Sequence, residues 1–139
     1  MKIISLMSGL LFVLFTACGA SKKIIQPAAP LYETKWLLKK INADGISQEV
    51  STKAFLKFDE QKKSAGGNGS CNSFGSSTTI NGNEVTFKNI FSTKMYCEEV
   101  QKIENAYLNN LGKANRFEIK GNILVLYNDK ELLLEFATE

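Results

Sequence analysis

Turn signals recur every few residues along most of this chain, and the runs between them are too short for helices. Asn42-Ala43-Asp44-Gly45, Asn81-Gly82-Asn83, Gly121-Asn122 and Asn128-Asp129-Lys130 are such signals. Asn-Gly is a strong hairpin marker because both residues tolerate positive φ. The runs beside them alternate. Leu56 and Phe58 share one face, with Lys57 and Asp59 on the other. Val85 and Phe87 oppose Glu84, Thr86 and Lys88, and Phe117 and Ile119 oppose Arg116, Glu118 and Lys120. Alternation at period two is the pattern of half-buried strands. Strands are expected over 34–41, 54–59, 64–68, 76–80, 84–88, 116–120, 123–127 and 131–137.

One segment keeps helical spacing. Val100, Ile103, Tyr107 and Leu111 recur along one stripe of 98–111, widened by Ala106 and Leu108. Glu98 and Glu99 suit the positive end of the helix dipole, and Gly112 suits a C-terminal cap. The fold class expected is mainly β (α+β), an antiparallel barrel-like curled sheet of short strands with one amphipathic helix. Phe55, Phe58, Phe74, Phe87, Phe91 and Phe117 are expected in its core.

The N-terminus has a different character. Lys2 precedes an apolar stretch, Ile3–Phe15, interrupted only by Ser5, Ser8 and Gly9. A membrane-spanning helix needs about 20 apolar residues, so this stretch fits an export signal better. Leu14-Phe15-Thr16-Ala17-Cys18-Gly19 resembles the bacterial lipobox, with Phe15 where Leu is usual. That resemblance implies a signal peptide over 1–17 and a diacylglycerol-modified, acylated Cys18. Ordinary cleavage leaving a free thiol is the competing reading. Several acyl chains hold a membrane stably where one holds it marginally. Residues 18–31 then form the lipidated N-terminus and a Pro-containing tether, and 32–139 form the domain. Gly19 follows the cysteine where Asp retains many lipoproteins in the inner membrane. The expected location is therefore the outer membrane of a bacterial envelope, facing the periplasm.

The chain has 139 residues, three cysteines and no histidine. Without histidine there is no Ser-His-Asp triad, Cys-His pair or His-ligated metal. A net charge of +3 is too small to indicate a nucleic-acid partner. No metal or cofactor motif is found, since Asp44, Asp59 and Asp129 lack calcium-loop spacing. With Cys18 assigned to lipid, Cys71 and Cys97 are left to pair in an oxidising compartment. Such a bridge is worth about 3.5 kcal/mol in the chain-entropy treatment. Two buried thiols, or a redox-active pair, are the other readings. Glu98, Glu99 and Glu104 read as a solvated helix face. Gly66–Gly75 reads as a tight turn allowing positive φ, with Asn72 bonding nearby backbone.

Around those cysteines the sequence takes a recognisable form. Gly67, Gly69, Cys71-Asn72, Phe74 and Gly75 are followed by a strand pair, then Thr93-x-Met95-x-Cys97 and the helix. With Trp36-Leu37-Leu38 near the start and leucine-rich final strands, this resembles the META domain family, also called HslJ-like or DUF306. Ser70 stands where many members place Gly. The resemblance implies a compact β-rich fold with one helix, exported or lipidated, associated with stress response and antibiotic tolerance. It implies no catalytic residues. The expected function is a non-enzymatic envelope lipoprotein, with a small apolar ligand or a protein as the alternative partner, and a monomeric state.

Overall fold

The computed structural model describes residues 27–139. The signal peptide over 1–17, Cys18 and most of the tether lie outside the described residues. Nine strands and one helix follow: β1 (Trp36–Ala43), β2 (Ile46–Glu49), β3 (Phe55–Asp59), β4 (Ser64–Asn68), β5 (Ser73–Asn81), β6 (Glu84–Ser92), α1 (Gln101–Lys113), β7 (Arg116–Lys120), β8 (Ile123–Asn128) and β9 (Glu131–Thr138).

All strands join one antiparallel sheet, ordered β2-β1-β3-β4-β5-β6-β7-β8-β9. β1 also pairs with β9, from Trp36↔Thr138 to Ile41↔Leu134, so the sheet curls into a closed ring. Consecutive strands pair because short turns join them. Gly82 and Gly121 take positive φ in two of these turns, and Asp44-Gly45 and Asp129 do so in others. The ring is thin at one seam, where β6 and β7 share only Glu84↔Arg116. Helix α1 lies beside this gap, packing on β6, β1 and β9.

Alternation decides what each strand buries. In β3, Leu56 and Phe58 point inward while Lys57 is exposed. In β6, Val85 and Phe87 point inward while Glu84, Thr86 and Lys88 are exposed. The interior is filled by side chains, including Trp36, Leu38, Ile41, Tyr107, Leu111, Leu124, Leu126, Leu134 and Phe136. Burying each of these contributes roughly 1.5–3 kcal/mol relative to exposure. Tyr107 sets its ring edge against Phe74 at 5.5 Å and against Phe136 at 6.0 Å. Its hydroxyl donates to the Phe55 carbonyl at 3.2 Å.

The ring has two ends. The turns at 60–63 and 121–122 stand at one, where the N-terminal segment enters. There Ala29 N–H donates to Gly121 O, Trp36 Nε1 donates to Leu31 O, and Tyr32 bridges to Phe58. At the other end stand the loop 69–72 and the segment 93–100 leading into α1.

Three expectations need correction. β2 was not foreseen, because Ile46–Glu49 is exposed throughout and has no apolar alternation. The helix begins at Gln101 rather than near Glu98, and Gly112 lies inside it, with Ala114 as C-cap. Phe91 and Phe55 are not core: Phe91 is 69% exposed, and Phe55 is half-buried outside the core cluster.

Candidate functional site

The residues singled out by sequence gather at the α1 end of the ring. β4 ends at Asn68 and β5 begins at Ser73, so the loop between them carries Gly69, Ser70, Cys71 and Asn72. β6 runs to Ser92 and delivers Thr93, Met95 and Cys97 alongside that loop. Cys71 and Cys97 form a disulfide with Cα atoms 5.9 Å apart, so pairing is the reading that holds.

Asn72 and Glu104 hold this cluster together. Asn72 is 3% exposed and Glu104 is 2% exposed. Glu104 Oε2 accepts from Cys71 N–H at 3.0 Å and Asn72 N–H at 2.6 Å, and Oε1 accepts from Asn72 Nδ2 at 2.6 Å. Every partner is a donor, as a carboxylate requires. Bonds of this kind to a carboxylate are about twice as strong as neutral ones. Asn72 then reaches across to the second segment. Its Nδ2 donates to Met95 O at 2.9 Å, and its Oδ1 accepts from Met95 N–H and Thr93 Oγ1, both at 2.8 Å. One side chain thus replaces a missing strand pairing between two loops. The bonds are non-local, unlike the turn contacts expected of Asn72.

Glu104 is the residue that sequence reading missed. An acid on a helix reads as solvent-facing, but this one is buried on the same side of α1 as Tyr107 and Leu111. The signal was the spacing 104, 107, 111, which puts the acid on the apolar stripe.

The glycines make room rather than supplying unusual backbone. A Cβ on Gly69 would stand 2.6 Å from Glu104 Oε2. A Cβ on Gly67 would collide with the Phe55 carbonyl oxygen. One on Gly75 would meet Phe91 Cζ at 2.6 Å. The positive φ in this stretch falls on Ser70 instead, at 105°. That is a conformation glycine adopts freely and serine does not. Ser70 Oγ is also buried without a hydrogen-bond partner.

What this framework displays is apolar. Met95 is 61% exposed and Tyr96 is 77% exposed, although the Met95 backbone is bonded on both sides by Asn72. With Phe91, three exposed large hydrophobic side chains fall within one short segment. Among the described residues, no group of acids and cysteines is arranged to hold a metal. No helix among them is long and apolar enough to cross a membrane. Burial pushes the Tyr107 phenol well above its usual range. It lies in the packed interior and meets no groove.

Comparison with known proteins agrees with this architecture. A protein from Burkholderia xenovorans, solved by NMR, is 25% identical with a TM-score of 0.65, covering 78% of this chain and 83% of its own. A second NMR structure is 21% identical with a TM-score of 0.57, covering 75% and 88%. The crystal structure of a DUF4847 family protein from Bacteroides vulgatus is 13% identical with a TM-score of 0.58, covering 77% and 93%, a likeness of fold. No curated protein of assigned function matches. The META domain family model matches residues 29–139, which takes in every strand, the helix, and both segments of the disulfide-linked cluster, and the chain therefore belongs to the META domain family.

Proposed function

We propose that this protein is a non-enzymatic envelope lipoprotein that binds a protein partner and thereby supports envelope integrity or stress tolerance. The observation that carries the reading is the segment Met95–Tyr96: exposed side chains on a backbone fixed by Asn72, Glu104 and the disulfide. Exposed apolar groups held rigid lose little conformational freedom on binding, which favours recognition. Ordinary surface loops lack such support.

The alternative, a small apolar ligand held inside the ring, fits less well, since the interior is occupied by Trp36, Tyr107 and Phe136. The lipobox-like Leu14–Cys18 supports anchoring through acylated Cys18, and Gly19 favours the outer membrane, with the domain in the periplasm. An anchor there faces a limited set of partners. The expected state is a monomer without metal or cofactor.

Cell fractionation tests the anchor. Wild-type protein is expected in the membrane fraction, and Cys18→Ala is expected to leave it. Membrane association that is unchanged in Cys18→Ala contradicts the assignment.

A further inference from the structure

A second surface lies away from the disulfide-linked cluster. A groove of about 800 Å³ follows the outer face of β3 and β4, lined by Tyr32, Phe55, Lys57, Glu60, Gln61 and Gly66 among others. The strand register explains why it is hollow. Lys57 faces Gly66, Gly66 faces Gly75, and Gly75 faces Phe91. The floor at Gly66 therefore has no side chain, and the groove ends before Gly75, which the Phe91 ring covers. Lys57 rises beside Gly66 and is exposed. The Phe91 ring is close enough to Gly75 that a Cβ there would overlap it. Glycines inside strands commonly mark a place where a ligand or another backbone comes close.

The lip of the groove is formed by the N-terminal segment, where Glu33 has φ of 64°. A non-glycine residue kept in that region is a form of strain that collects at binding sites.

The lining narrows the choice of occupant. Glu33, Asp59 and Glu60 stand against Lys57, so a phosphate-rich polymer is disfavoured. A peptide finds little edge to join as a strand, because β3 is paired with β4 throughout, with β1 at Phe55 and Leu56 and with Tyr32 at Phe58, and β4 is paired with β3 and β5. An acyl chain needs a continuous apolar wall, whereas rings here alternate with carboxylates and an amide. An oligosaccharide matches both parts. Its C–H faces pack on aromatic rings, and its hydroxyls bond to carboxylates, amides and lysine. Strand faces of other small closed sheets bind oligosaccharides in this manner.

We propose that this groove binds a neutral oligosaccharide, with sugar rings against Tyr32 and Phe55 and hydroxyls meeting Lys57, Glu60 and Gln61. The inference goes beyond the protein-binding role of Met95–Tyr96 and does not depend on it.

Titration of the purified protein, expressed as the full chain, with chitotetraose and separately with maltotetraose tests it by amide NMR. Saturable shifts at Lys57, Gln61, Gly66 and Gly67 with either sugar are expected. Response to chitotetraose alone assigns an N-acetylated glycan, and response to maltotetraose alone a plain glucan. Lys57→Ala and Gln61→Ala, both at exposed positions of the groove, are each expected to weaken binding about tenfold. A Met95→Asp, Tyr96→Asp double variant is expected to bind sugar unchanged, which separates the two surfaces. No saturable shift with either sugar, or full affinity in both groove variants, overturns the proposal.

Discussion

Glu104 joins the helix to a loop more than thirty positions earlier through bonds to Cys71 and Asn72. Glu104→Gln keeps the shape but turns an amide N–H₂ toward groups that already donate. Buried donors left unmatched are expensive, so a loss of about 3 kcal/mol in urea unfolding is expected. The chain length between these partners also explains why the contact was not legible. A sequence window around Glu104 contains neither donor, whereas Gly69 looked like a turn residue when its real role is to admit the carboxylate. Ser70 gives the opposite case. Its positive φ and unpartnered hydroxyl are both removed by Ser70→Gly, which also increases the freedom of the unfolded chain. The net expectation is a gain of about 1 kcal/mol in the same measurement. A serine in a position that glycine commonly fills in similar proteins was the one visible hint of that strain.

Elements were legible in proportion to how sharply they alternate. β3 and β6 show period two because one face meets the interior and the other meets water, whereas β7 alternates in sequence but is half-buried on both faces over Arg116–Ile119. β2 shows nothing of the kind because it adds to the edge of β1 and buries no face. The helix was found from its stripe, but its start was placed too early. Glu98 and Glu99 look like first-turn acids, yet they lie in the turn that leads from Cys97 to Gln101. That turn is held at Cys97, whose carbonyl accepts from Val100 and Gln101 N–H. The disulfide therefore fixes both the loop after β4 and the approach to α1. Reduction is expected to lower stability by about 3 kcal/mol, read as the difference between urea curves with and without reductant. Amide exchange should rise first over 93–100, since Asn72 alone then joins that segment to the loop.

The whole molecule separates two tasks by position. The N-terminal segment enters at one end of the ring, where Ala29 and Tyr32 dock on Gly121 and Phe58. The loop 69–72 and the segment 93–97 stand at the other. The closed sheet could be foreseen from the turn spacing, because many short antiparallel strands have few other ways to cover their edges. The exposed segment could not. Phe91 read as core, and Met95 had only its place in the Thr-x-Met-x-Cys pattern, with no sign of which way its side chain faced.

The central claim is that Met95 and Tyr96 are held out for a partner rather than left over by the fold. Complementation of a deletion strain under envelope stress by a Met95→Asp, Tyr96→Asp double variant tests this most directly, with Ile46→Ser as the exposed control. Both side chains are largely exposed, so the melting temperature of the variant should match wild type. The account predicts that the double variant accumulates normally and fails to restore growth, while Ile46→Ser restores it. Full restoration by the double variant would contradict it.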